Sequence, residues 1–222
     1  RSRFCDGFCF TGCLRLFGGV GPTHPRVSLE LRAARARRGR VLPREQAHID
    51  AFDTAATGEF SKAGRMWDDI LQEYPYDMMA AKCAHESYFL VGEAWRLQKS
   101  VQDILPKWSD NMPYYGYLLG MGAFGLEEVG EYAEAEKMGR RAVEIEPRDG
   151  WAVHAVAHVM QMQGRCDENI EWLESTVDDW RDAVWLSGHL WWHLFCRFLR
   201  RNSLIVSSTS TMRVWRLATR IW

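Results

Sequence analysis

Between residues 43 and 199, apolar residues recur at intervals of three and four, the spacing of one face of an α-helix. Glycine cuts these runs at regular intervals. Gly58, Gly92, Gly130 and Gly164 are separated by 34, 38 and 34 residues, each between one apolar helical stretch and the next. In the clearest unit, Leu119, Ala123 and Leu126 share one face of a first helix, and Gly130 breaks it. Tyr132, Ala135, Ala142 and Ile145 then face inward from a second helix that stops at Pro147. Gly58, Phe60, Ala63, Trp67, Ile70 and Pro75 repeat the same skeleton. Ala63 and Ala135 fall where two antiparallel helices cross closest, and only a small side chain permits that approach. Phe60 and Tyr132 fill the space beside the turn. Pro75 and Pro147 lack an amide donor and end the second helix. The pattern predicts an all-α chain of four helix–turn–helix units, at 44–77, 78–111, 116–149 and 150–183, within a repeat domain spanning 43–199. An insertion at 112–115 separates the middle two, and a final helix covers about 184–199. No pair of helices can bury its own apolar face, so the pairs are expected to stack into a right-handed superhelix, an α-solenoid with a concave groove lined mainly by the first helices.

The Gly, Ala, Ala, Pro placements at Gly130, Ala135, Ala142 and Pro147 resemble the tetratricopeptide repeat. The likeness is strong in units one and three and weaker in unit two, where Leu97 replaces the small crossing residue and Ser109 the terminal proline. The strings LPREQAHIDAF, YGYLLGMGAFGLEEVGEYAEAE, EPRDGWAVHAVAHVMQMQGR and NIEWLESTVDDW, read together, resemble the tetratricopeptide repeat protein 38 family over about 41–195. That resemblance implies an intracellular, cytoplasmic helical-repeat protein with no assigned reaction. It stops before Val41 and after about His193, which implies a fragment or splice product.

Charge divides the 222 residues further. The formal net charge is −1, yet residues 1–42 carry nine Lys/Arg against two Asp/Glu, and 200–222 carry five against none. The segment between them has a net charge of −13. An acidic repeat domain argues against nucleic acid as a partner, because phosphate binding needs a basic face. Residues 1–42 are glycine-interrupted (Gly18, Gly19, Gly21) and Arg-rich from Arg32 to Arg40, and are expected to be a disordered or non-native basic leader. A targeting peptide has the same balance but also an apolar helical face. Residues 200–222 are expected to be a disordered basic tail. Cys5, Cys9 and Cys13 lie four apart but lack the two-residue gaps of zinc and iron–sulfur sites. Cys83, Cys166 and Cys196 read as small buried residues. No run of about 18 apolar residues marks a membrane span.

Groove-lining residues fall near the second, fifth, ninth and twelfth positions of each unit. That register places His48 of unit one, Lys82 and Glu86 of unit two, and Trp151, His154, His158 and Gln161 of unit four on the concave face. His189 and His193 follow His154 and His158 by 35 residues and take the same places on the next helix after a one-residue slip. Two HxxxH pairs on adjacent helices would direct four imidazoles into one stretch of groove, a geometry able to grip zinc or a similar divalent metal. Glu86 and Glu168 are the nearest carboxylates that the sequence offers to complete such a site. The same residues also read as a polar groove for a protein segment or small ligand, or as hydrogen-bonded packing.

Other chemistries lack their residues. Ala155, Val156 and Ala157 lie between His154 and His158, so there is no HExxH glutamate to act as a base. There is no phosphate loop and no GxSxG elbow, and Gly120–Gly125 lies inside a helix where close packing accounts for small residues. Lys82 alone suits an anion, and Glu86 opposes it, so acidic C-terminal tails are not expected to bind. The leading expectation is a non-catalytic scaffold that binds a protein segment or small ligand in its groove. The alternative is a metal-dependent or His-based enzyme using His154, His158, His189 and His193. The string WLSGHLWWHLF is expected to be exposed on one side, a route to self-association.

Overall fold

The computed structural model describes residues 3–183 and 186–202, and only helices and turns occur among them. In chain order the helices are α1 (Arg3–Arg15), α2 (Pro25–Arg35), α3 (Pro43–Ala55), α4 (Phe60–Glu73), α5 (Met78–Val91) and α6 (Ala94–Ile104). There follow α7 (Tyr115–Glu128), α8 (Tyr132–Ile145), α9 (Gly150–Met162), α10 (Cys166–Ser175), the single turn α11 (Val177–Trp180) and α12 (Ser187–Asn202). None is long and apolar enough to cross a membrane. The chain divides into two compact units, Arg1–Ser109 and Asp110–Trp222.

The hairpins turn at the four periodic glycines because the backbone there needs a positive φ. Gly58, Gly92, Gly130 and Gly164 adopt φ of 88°, 69°, 85° and 74°, which a side chain would strain. After three of them, the next residue's amide reaches back to the last turn of the first helix. Glu93 donates to the Tyr88 carbonyl at 3.0 Å, Glu131 to Leu126 at 2.9 Å and Arg165 to Met160 at 2.9 Å. The second helices stop just before proline: α4 ends ahead of Pro75 and α8 ahead of Pro147. Starts are capped by aspartates, Asp77 Oδ1 accepting from the Ala80 amide at 3.0 Å and Asp149 Oδ1 from the Trp151 amide at 3.1 Å. Ala63 and Ala135 have no exposed surface. Close approach extends to Gly64 against the Tyr88 ring and to Gly139 against Val156.

In the first unit, α3 packs on α4, α4 on α5 and α5 on α6. The expectation of disorder in the basic leader is corrected for residues 3–42. Helices α1 and α2 pack on each other and on α3, burying Cys9, Cys13, Leu16, Val27, Leu31 and Ala34. Both triplets follow a four-then-three spacing, so each lies on one helix face. The glycines that obscured this pattern fall in the turn between the helices, where Gly19 and Gly21 take φ of 86° and 77°. Gly12 lies directly under the Phe52 ring, leaving no room for a side chain. The arginines are held by the acidic α3: Arg35 pairs with Asp53, and Arg38 chelates Asp50 at 2.7 and 2.6 Å. Burial, with Cys83 against it, raises the Cys13 thiol, so Cys13 is a neutral core residue.

In the second unit α7 packs on α8 and α9, and α10 packs on α9 and α12. Val153, Ile170, Leu173, Trp180, Leu190 and Leu194 form its core. Cys166 and Cys196 are half-buried, not buried as expected, because they lie at the margin of this core. Of the string WLSGHLWWHLF, Leu190, Trp191 and Leu194 are buried and Trp192 is exposed. Helix α12 carries the final helix beyond residue 199 to Asn202, while 203–222 lie outside the described residues, as do 184 and 185.

Candidate functional site

Helices α9 and α12 bring four histidines to one point of the second unit. The i, i+4 spacing puts His154 and His158 on one face of α9, and His189 and His193 on one face of α12. Packing of α12 on α9 and α10 turns the two faces toward each other. One nitrogen from each of the four rings lies within 4.8 Å of the others. The Nε2 atoms form a chain: His154 to His189 at 3.0 Å, His189 to His193 at 2.9 Å, and His193 to His158 at 3.1 Å. His154 and His193 are buried, His158 is partly buried and His189 is open to solvent.

Groups around the rings fix their orientation. Gln161 Oε1 lies 3.0 Å from His193 Nδ1 and accepts its proton. Glu127 of α7, itself buried, places Oε2 3.5 Å from His158 Nδ1. Phe124 and Trp151 pack on the His154 ring, with centroids 5.7 and 5.5 Å away. Trp192 lies nearly parallel to His189, 5.6 Å away with 13° between the planes. Burial, reinforced by the neighbouring imidazoles, lowers His154 well below the ordinary histidine range. Burial, then the charges of His158, His189 and Arg197, bring His193 down to about 3, and burial with His158 lowers His189. At neutral pH these three rings are uncharged and each keeps a lone pair.

His48, Lys82 and Glu86 belong to the first unit and Glu168 to the second. His48 has no exposed surface, and its Nε2 is 2.9 Å from Asp77. It is therefore corrected from a groove residue to an interior one: the carboxylate that caps α5 holds its ring in the core. Lys82 and Glu86 form an ion pair at 2.5 Å along α5 of the first unit. Glu168 is held by Arg165 at 2.7 Å, whereas Glu127 and Glu128 of α7 lie beside His158. The repeat register could have found Glu127, because it occupies the twelfth position of the third unit, as Gln161 does in the fourth. A cavity of about 410 Å³ in the first unit lies between α4 and α6. Lys99 pairs there with Asp103 at 2.6 Å, and Asp68 accepts from the Tyr88 and Ser100 hydroxyls, both at 2.5 Å.

No family model matches the chain. Among solved structures, it is similar to MamA, with a TM-score of 0.54 and 13% identity over 77% of this chain and 91% of that one. It is also similar to YrrB, described as a TPR protein with an unusual peptide-binding site, with a TM-score of 0.51 and 15% identity over 86% of this chain and 90% of that one. The fold is therefore all-α and of the tetratricopeptide repeat type.

Proposed function

We propose that the chain is a non-catalytic interaction scaffold whose second unit takes a protein segment on the face made by α7, α9 and α12. The observation that carries this reading is the Trp192 indole, 53% exposed and nearly parallel to His189, on the histidine cluster that Trp151 and Gln161 also contact. An open aromatic plane next to fixed polar groups is the composition of a binding hot spot. Glu127 and Glu128 lie beside His158 of the same cluster, and the whole repeat domain is acidic, which favours a segment carrying basic and aromatic side chains over an acidic tail. The peptide-binding site named for YrrB, a protein of similar fold, supports the same reading. So do the strings that resemble the tetratricopeptide repeat protein 38 family, and with them we place the protein in the cytoplasm. Trp192 also gives α12 an exposed apolar surface through which two copies can associate.

The test is selection of a random 12-residue peptide library on the immobilised full-length chain. The expected result is a convergent set of basic, aromatic peptides. Trp192→Ala weakens their binding about tenfold, or about 1.4 kcal/mol. Trp95→Ala, which removes an equally exposed indole from the first unit, leaves binding unchanged. Failure of the peptides to converge, or equal binding by the Trp192→Ala protein, overturns the reading.

A further inference from the structure

We infer that His154, His158, His189 and His193 form a closed site for a zinc-class divalent cation that clasps α12 to α9. The hydrogen-bonding arithmetic of the four rings points to it. An imidazole nitrogen carries either one proton or one lone pair, and so makes one in-plane hydrogen bond. Yet His189 Nε2 contacts both His154 and His193, and His193 Nε2 contacts both His189 and His158, all within 3.1 Å. Four rings with three such contacts cannot satisfy them all with protons. A cation at the centre can, because every ring then turns a lone pair inward and no proton is shared.

The spacing and the surroundings agree. Four nitrogens at 2.0–2.1 Å from a tetrahedral ion stand about 3.3 Å apart. The observed 2.9 to 3.1 Å between sequential Nε2 atoms needs an outward shift of a few tenths of an ångström, and the four ring nitrogens all lie within 4.8 Å of one another. Gln161, accepting from His193 Nδ1, fixes the tautomer that leaves Nε2 free for a metal. Glu127 Oε2 lies 3.5 Å from His158 Nδ1 and sets a buried carboxylate beside the site. That oxygen makes no hydrogen bond, so it is placed to receive the Nδ1 proton once His158 turns Nε2 to a metal.

The donor set chooses the metal and the role. Four neutral imidazoles suit zinc, nickel, cobalt or copper, whereas calcium and magnesium require oxygen ligands. Four protein ligands fill a tetrahedral shell, which is the mark of a structural site; catalytic zinc keeps a position open. The ion would therefore fasten one helix to the previous hairpin without performing chemistry. The inference does not rest on peptide binding.

The test uses the full-length chain stripped by chelator and titrated with zinc. The expected result is one zinc per chain at submicromolar Kd and a rise in melting temperature. His158→Gln with His189→Gln, the two less buried ligands, weakens that binding at least 100-fold and removes the rise, while far-UV circular dichroism shows the helices intact. Glu127→Gln weakens zinc about tenfold through loss of the carboxylate's negative charge beside the site. Cobalt in place of zinc gives a tetrahedral visible spectrum without thiolate charge transfer, which separates this site from the cysteines. A folded parent that takes up no zinc at 10 μM overturns the inference. So does binding that survives loss of both histidines, or a cobalt spectrum dominated by thiolate.

Discussion

Replacing Trp180 with alanine destabilises the second unit by about 4 kcal/mol. The side chain has no exposed surface and sits at the meeting point of α9, α10 and α12. Its ring packs edge-on against Trp191 at 5.0 Å, so it supports the face by which α12 docks. The indole N–H donates to the Thr176 hydroxyl at 3.1 Å and to the Leu173 carbonyl at 3.3 Å. Truncation to alanine leaves an indole-sized cavity among residues already fixed in place. Trp180→Phe keeps most of the volume and loses only the donor; Thr176 still bonds the Trp172 carbonyl at 2.8 Å, so the cost is nearer 1–2 kcal/mol. Urea unfolding followed by circular dichroism measures both values. Hydrogen exchange supplies the location: amides of α12 exchange faster in Trp180→Ala, while those of α3 to α6 do not change. A loss below about 1 kcal/mol would mean that α12 docks without this contact.

The hairpins were legible because their turns demand a residue type. A backbone at positive φ selects glycine, so Gly58, Gly92, Gly130 and Gly164 mark turns in the sequence and occupy turns in the structure. The crossing alanines were legible for a similar reason, since steric exclusion acts on residue size alone. The first 42 residues were misread because their signal is relational. Gly12 looks like a helix breaker until the Phe52 ring that requires it is in place, and the arginines look like a solvated tail until Asp50 and Asp53 of α3 receive them. Each of those partners lies 12 or more residues away.

The histidine pairs show the same division. Spacing of four fixes a shared helix face, and a repeat length near 35 residues brings two such faces into register, so the cluster could be anticipated from periodicity. Which carboxylate joins it depends on the neighbouring helix. Glu168 is close in sequence but is taken by Arg165, whereas Glu127 reaches the site from α7. His48 carried the same register position as His154, and it went to the interior because Asp77 competes for it. Register gives the face, and the available counter-charge decides whether that face stays open.

Asp77 also gives the protein a specific acid sensitivity. Its side chain is 4% exposed, caps α5 through the Ala80 amide, and contacts Arg44 and His48. Burial alone would raise its pKa, but His48, the amide and the Arg44 guanidinium together outweigh that and bring it from the ordinary 3.8 down to about 2. Between about pH 5 and pH 2 the unfolded chain therefore takes up a proton that the folded one refuses. Stability contributed by Asp77 is fully present above that window and is lost as the pH falls through it, amounting to about 2 kcal/mol. Asp77→Asn forfeits this contribution at every pH, so it is less stable than the parent by about 2 kcal/mol at pH 7 and nearly equal to it at pH 2. Asp77→Ala loses the cap as well and costs about 1 kcal/mol more. Urea titrations at pH 7, 5 and 3 check the claim: the parent loses stability toward pH 3 faster than Asp77→Asn does. Parallel loss in the two proteins would show that the acid response arises elsewhere and that His48 and Arg44 do not hold this carboxylate in its charged form.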